Sequence, residues 1–524
     1  MTVKRGGVGS LVGFMFHEPL PMEFDLGRFN QWGTFSMLAT HSRRPVPDKK
    51  LWGFHFPLGI DDGLSKSKQR GSQIVNSMGR QPHLLFLPFP GQGHIAPIMK
   101  LALLIGAHGV KLTFVNTQFI HAKMMASLPE NSEERRLINF VSVPDGLDTE
   151  DDRSDLIKLT ESVHRTMPGH VRDLITKVEE SNADERISCV VADTSVGWVH
   201  EMAKNFGIEA VAFWTSAAAC LAMSLHIPLL LDGGVVDNNG TFILDEPISL
   251  SKDLPSWTSS DVGSDPEVQK LVFEFCLFVS KYAKFYDLII CNSNYELEPV
   301  ALRLIPNILP IGPLVIENNS SSFSGSLLPQ DETCLQWLET QPTSSVIYVA
   351  FGSTGTLSLQ QVEELALGLE LSSQPFLWVV QSGSLARFPD GFVERVADRA
   401  KFVEWAPQEK VLAHPSVACF MSHCGWNSTL EGLGVPFLCL PYFADQFYNK
   451  KYICDVWKVG LEVEEDGNGI KTRDEVCSKI KMLLSSDVIK ANALQMKEAG
   501  RKSWDEDGDS FNNLNKFIQH IKSL

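Results

Sequence analysis

The sequence predicts an α/β protein made of two doubly wound, parallel-sheet units. Short apolar runs alternate with helical repeats along most of its 524 residues, the pattern of successive βαβ units. Glycine-rich turns follow an apolar run at two distant points, residues 91–97 and 352–355. Between the two series lies a polar, serine-rich, aperiodic stretch, ENNSSSFSGS at 317–326, with the composition of a linker.

Residues 1–77 stand apart. They hold ten Lys/Arg and six Asp/Glu, a net of +4, so the remainder carries −21 of the chain's −17. Gly, Pro and Ser recur throughout and neither a helical nor a strand period is sustained. An extension outside the fold is expected. A targeting segment and a structural arm are the alternatives. Lys4-Arg5 followed by apolar residues 6–16 has the start of a signal peptide, but His17-Glu18-Pro19 lacks a small-residue cleavage site. Glu18, Glu23 and Asp25 count against a transit peptide.

Met78 opens the regular region. Residues 83–89 read as a strand ending at Pro90-Gly91, and Ile98, Leu101, Leu104 and Ile105 repeat at helical spacing. Further strands are expected at 111–115, 187–192, 210–213 and 288–291, with helices after the third and fourth of these five. This gives a first domain over 78–314 and a linker over 315–330. A second domain, 331–500, begins its strands at 346–351, 376–380 and 437–440. A last helix in 501–524 carries Leu514, Phe517, Ile518 and Ile521 on one face. Two such domains enclose a cleft faced by strand carboxyl ends, where open α/β sheets bind ligands.

Composition removes several function classes. A net charge of −17 and a pI near 5.3 argue against nucleic acid or an anionic membrane as partner. The longest apolar stretch, 210–231, is broken by Thr215, Ser216, Ser224, His226 and Pro228, so stable membrane insertion is not expected. The ten cysteines start at Cys189 and form no C-x-x-C pair. Cys419 and Cys424 flank His423 without a second ligand pair, so no metal site is expected there. Free thiols fit a reducing, cytoplasmic location. The acidic run 505–509 hints at a calcium loop, but its twelfth position is Lys516 rather than Glu, which leaves a solvated turn.

In the first domain, Gly91, Gly93 and Ala96 give the spacing of a dinucleotide fingerprint. The following strand ends in Asn116-Thr117 rather than an acid for a ribose, which disfavours an NAD(P) oxidoreductase. His94 sits where a helix starts, with Pro97 suited to an early helical position. The positive end of that helix would keep its imidazole neutral and able to accept a proton. Asp193, at the end of the 187–192 strand, is placed to fix the tautomer of such a histidine. Singly, a surface histidine and a helix-capping aspartate are the plainer readings. Thr215 follows the next strand, where a helix N-cap is an equal reading.

The second domain holds the most informative run, 405–446. Trp405 offers a flat face for a base. His423, Gly425, Asn427 and Ser428 lie where a helix begins, an anion site by virtue of its free amides. Glu431 shares a helix face with Asn427, and Asp445-Gln446 follows an apolar segment and is able to receive sugar hydroxyls. The ordered set W-A-P-Q, H-C-G-W-N-S, E, G-V-P and D-Q resembles the plant secondary-product glycosyltransferase box, the nucleotide-sugar signature of the family-1 UDP-glycosyltransferases.

The resemblance starts at Met78. It implies a GT-B architecture of two facing Rossmann-like domains, with the last helix crossing back onto the first. It implies an inverting, metal-independent O-glucosyltransferase, monomeric, with UDP-glucose as donor substrate and no other cofactor. The acceptor would be a hydroxyl or carboxyl of a small lipophilic metabolite. His94 would be the general base and Asp193 its partner, with Thr215 near the donor sugar. Trp405, with Ala406 beside it, would hold uracil, and Gln408 and Glu431 the ribose. Ser353, His423, Gly425, Asn427 and Ser428 would cradle the diphosphate. Asp445 and Gln446, with Trp426, would bind glucose, since Gln at the box end goes with glucose over galactose.

One departure stands out. The family pattern has two more residues between Glu431 and Gly434-Val435-Pro436. Within a helix they amount to about 200° of rotation, enough to misplace whatever follows. If the helix ends sooner, at Gly432 or Gly434, Glu431 is unaffected and only Asp445-Gln446 are in question. The alternative function is therefore a nucleotide-sugar-binding protein with weak or no transferase activity.

Overall fold

The computed structural model describes residues 80–181, 185–243, 246–262, 265–314, 329–353, 357–380 and 387–524. The extension expected over 1–77 and most of the linker expected over 315–330 lie outside the described residues.

Seven parallel strands form the first sheet: β1 (His83–Leu87), β2 (Lys111–Thr117), β3 (Ile138–Val143), β4 (Cys189–Asp193), β5 (Glu209–Trp214), β6 (Leu288–Cys291) and β7 (Ile308–Pro310), in the order β3-β2-β1-β4-β5-β6-β7. Six form the second: β8 (Val346–Ala350), β9 (Phe376–Val379), β10 (Ala400–Val403), β11 (Val417–Ser422), β12 (Phe437–Cys439) and β13 (Gly460–Glu462), in the order β10-β9-β8-β11-β12-β13. Both are doubly wound. The strand order reverses between β1 and β4 in one sheet and between β8 and β11 in the other. At such a point successive connections leave for opposite faces, and a crevice opens beyond the strand ends.

Strand β1 shows why these runs are apolar throughout. Leu84 and Phe86 enter one core and Leu85 and Leu87 another, so the period-two alternation buries both faces. The helix Gln92–Gly106 starts at Gly91 and presses Ile95, Ile98, Leu101 and Ile105 into the first of these cores. Five strands go beyond the expected set: β3, β7, β10, β11 and β13. Of these, β3 is only partly buried, β7 is three residues ending in Pro310, and β10 and β13 are short. Strand β11 is apolar and buried, but it runs directly into His423 and reads as part of the motif.

The helix Asp509–Lys522 returns to the first sheet. Leu514, Phe517, Ile518 and Ile521 share a core with Leu84, Phe86 and Phe114, and Asn513 Nδ2 donates to Pro310 O at 2.9 Å. The shortened box is absorbed by an early helix stop. The helix Trp426–Glu431 has Gly432 at its C-cap, Gly434 takes φ +103°, and β12 pairs with β11 from Phe437 against Phe420. All ten cysteines are free thiols, buried except for Cys276 and Cys454. No helix among the described residues is long and apolar enough to cross a membrane.

Candidate active site

Two switch points face one cleft. His94 follows β1 and Asp193 ends β4, so the topology itself brings together residues 99 apart in sequence. His94 Nδ1 lies 2.6 Å from Asp193 Oδ2. An ionised carboxylate only accepts, so Nδ1 carries the proton and the lone pair sits on Nε2. Asp193 is fully buried, and its other oxygen accepts the Ser195 amide at 2.7 Å. The His94 side chain keeps 32% exposure, with Phe89 packed edge-on at 5.3 Å. Burial works against a charged imidazole here. The Asp193 charge and hydrogen bond, together with Asp445 from the second domain, outweigh it and raise the His94 pKa above its ordinary value. The expected control by the helix N-terminus thus gives way to the carboxylates, which make the imidazole a stronger base. Burial likewise raises Asp193, but the charge and hydrogen bond of His94 and the Ser195 bonds bring it below the usual carboxylate value.

Thr215 Oγ1 sits 3.3 Å from His94 Nδ1. The cap of the next helix, Ala218–Asp232, is Ala217, so the capping alternative for Thr215 is set aside. Ser216 donates to Asp445 Oδ2 across the cleft, and Asn449 Nδ2 holds the same oxygen at 3.0 Å. Gln446 is buried, and its Oε1 accepts the amides of Tyr442 and Phe443 at 3.0 and 3.1 Å.

On the second domain, Gln408 Nε2 donates to Glu431 Oε2 at 2.6 Å and to Ser428 Oγ at 2.9 Å, while Tyr348 donates to its Oε1 at 3.1 Å. Trp405 and Ala406 lie between β10 and the helix Gln408–Leu412, Trp405 partly exposed and Ala406 buried. His423 leaves β11 and Gly352-Ser353 leave β8, the two strands flanking the second switch point. Gly352 has φ +76°, and a Cβ there would stand 2.8 Å from His423 Nε2. This close approach requires glycine. Burial pushes His423 down to about 4, so its ring is neutral near pH 7.

Two box residues bridge the domains. Asn427 Nδ2 donates to Gly93 O, next to His94, at 2.6 Å. Trp426 is 3% exposed, with Nε1 donating to Asn292 O at 2.7 Å. Its ring is therefore a prop between domains. Its backbone amide lies in the first turn of Trp426–Glu431, beside those of Asn427 and Ser428.

Sequence reasoning missed Lys100, Ser216, Asn292 and Glu409, which pair across the cleft. Lys100 was hidden as one polar residue in an apolar helix. A lysine buried to 7% side-chain exposure is a signal only once its surroundings are known.

Comparisons with known proteins agree on what this arrangement resembles. A family model described as "UDP-glucoronosyl and UDP-glucosyl transferase" matches residues 107–501. UDP-glycosyltransferase 83A1 of Arabidopsis thaliana is 44% identical over 462 residues, covering 85% of this chain and 98% of the relative. Linamarin synthase 1 of Manihot esculenta is 33% identical, covering 84% and 97%. Among solved structures, Phytolacca americana UGT2 with UDP-2-fluoro-glucose and pterostilbene superposes with TM-score 0.72 at 27% identity, covering 84% of this chain and all of the other. A Polygonum tinctorium UDP-glucosyltransferase capable of glucosylating indoxyl gives 0.73 at 28%, covering 86% and 100%.

Proposed function

The chain belongs to the plant family-1 UDP-glycosyltransferases, and from that premise we propose that it moves glucose from UDP-glucose to a hydroxyl, or a carboxyl, of a small lipophilic metabolite, inverting the anomeric carbon. The observation that carries this reading is the His94–Asp193 pair facing Asp445 and the Gln408–Ser428–Glu431 cluster across one cleft. It supports a base on one domain and a nucleotide-sugar site on the other.

In this reading His94 Nε2 takes the acceptor proton as the acceptor oxygen attacks C1 from the face opposite UDP. The new C1–O bond forms as the C1–O bond to the diphosphate breaks, so an α-linked donor yields a β-glucoside. Asp193 stabilises the imidazolium. Holding acceptor, base and sugar in line supplies much of the acceleration. Charge grows on the departing UDP, and amides in the first turn of Trp426–Glu431, with Ser353, His423, Asn427 and Ser428, meet it there more strongly than in the ground state. No step calls for a metal. Trp405 stacks on uracil, and Gln408 and Glu431 take the ribose. Asp445 accepts glucose hydroxyls, while Gln446, its oxygen already committed, offers its Nε2 amide. Thr215, beside His94, lies near the sugar.

The binding-only alternative rested on the shortened box. The early helix stop leaves Glu431 bonded to Gln408 and Asp445 held by Ser216 and Asn449, so no observation favours it. The reading includes a monomer working in the cytoplasm, where free thiols persist. Pterostilbene and indoxyl, named with the two solved relatives, are both hydroxylated aromatics and support an acceptor of that kind.

The test is a mass-spectrometric screen of the protein with UDP-glucose and mixed phenolic, flavonoid and terpenoid alcohols. Products one hexose heavier, with β anomeric configuration by NMR, are expected. UDP-glucose binding without product from any acceptor would restore the binding-only reading, and an α-glucoside would overturn inversion.

A further inference from the structure

Lys100 lies on the helix that begins at His94's turn, yet its partners belong to the other domain. Nζ is ion-paired with Glu409 Oε1 and stands 4.0 Å from Glu431 Oε1. Its side chain is almost wholly buried, a position that lysine takes only when paired. Glu431 gives its Oε2 to Gln408 Nε2 at 2.6 Å, and it is Oε1 that lies towards Lys100. Glu409 and Glu431 thus converge on one ammonium. Without that cation two neighbouring carboxylates in a poorly solvated cleft cannot both stay ionised cheaply.

The charge state matters on the reading, adopted above, that Glu431 receives the ribose. An ionised carboxylate accepts from two hydroxyls at once, whereas a protonated one has a donor in the way. We infer that Lys100 is a positioning residue for the donor: a cation lent by the acceptor-side domain keeps Glu431 ionised, and so tied to the ribose, across the domain boundary.

The groups facing Glu431 are Lys100 from the first domain, Glu409 and Gln408 from the helix Gln408–Leu412, and Tyr348 from β8. Burial raises the Glu431 pKa, Lys100 lowers it, Glu409 raises it and the Gln408 bond lowers it, with a net position above the usual carboxylate value. Tyr348 is raised far above its own ordinary value and stays neutral. The sign follows. UDP affinity is full above the raised Glu431 pKa and is lost as pH falls through it. Removing Lys100 moves that loss to higher pH, and removing Glu409 moves it lower.

Calorimetric titration of the full chain with UDP between about pH 5.5 and 8.5 tests this. Lys100→Met is expected to bind UDP roughly tenfold more weakly at the acid end, one pKa unit's worth, with the deficit closing towards the alkaline end. Its KM for UDP-glucose should rise while kcat holds. Lys100→Arg should keep the wild-type profile, and Glu409→Gln should extend tight binding to lower pH. A Lys100→Met loss equal at every pH, or none at all, overturns the inference. So does an unshifted Glu409→Gln profile, which stays decisive if Lys100→Met fails to fold. Glu431→Gln separates the premises. Unchanged UDP affinity there removes the ribose reading itself, whereas weakened affinity with a wild-type Lys100→Met profile removes only the role of Lys100.

Discussion

Asp193 converts His94 from an imidazole at a helix start into an oriented one. Asp193→Asn keeps the shape but presents a donor where an acceptor stood, so the ring is driven to the tautomer whose Nε2 carries the proton. Turnover should fall on the order of a hundredfold or more. The acidic limb of the pH–rate profile should move to lower pH, because the charge that raised the His94 pKa is gone; an unmoved limb would contradict the assigned pairing. Trp405→Ala should weaken UDP binding by about 1–3 kcal/mol if the ring stacks on the base, and unchanged calorimetric affinity would refute stacking. His94 and Trp405 stood out because each sits in a local motif, a glycine-rich strand-to-helix turn and the W-A-P-Q run. Lys100 and Ser216 did not, because their meaning lies in partners from the other domain, Glu409 and Asp445, hundreds of residues away. No periodicity in a sequence encodes such a pairing.

At the scale of elements, three of the four strands at the two switch points announced themselves, β11 being the exception. β1, β4 and β8 are buried on both sides and so read as continuous apolar runs, and a polar or glycine-rich turn marks the end of each. What stayed hidden was the order in which strands pair. The sequence places His94 and Asp193 at the ends of two strands, but only the topology makes β1 and β4 neighbours at a switch point. The missing two residues of the box are likewise an event in one element. The Trp426–Glu431 helix stops before the deletion has any effect on Glu431, and Gly434 makes the turn into β12 at φ +103°. That angle is closed to other residues, and a Cβ there would stand 2.6 Å from Lys497 Cδ. Gly434→Ala should therefore destabilise the protein by about 1–3 kcal/mol, read as a lower urea midpoint. An unchanged midpoint would mean that the turn tolerates a side chain and that the shortened box is held by something else.

In the whole molecule, the proposed reaction draws on both domains, and neither half of the cleft is complete alone. Asn427 reaches Gly93, Ser216 reaches Asp445, Lys100 reaches Glu409, and the last helix packs Phe517 into the first core. These ties hold His94 opposite Asp445 and the Gln408–Glu431 pair, the arrangement that the proposed single displacement needs. The expectation of two facing Rossmann-like domains came from alternating strands and helices together with the box, and the resemblance to solved UDP-glycosyltransferases agrees with it. The acceptor is the part least written in the sequence, because no motif or repeating pattern specifies it. The most direct measurement is glucoside formation by His94→Ala at saturating UDP-glucose with an acceptor that the wild type uses. A loss of roughly 10²–10⁴-fold in turnover, with UDP affinity retained, is the expected result. Turnover comparable to the wild type would remove His94 as the base and contradict the account.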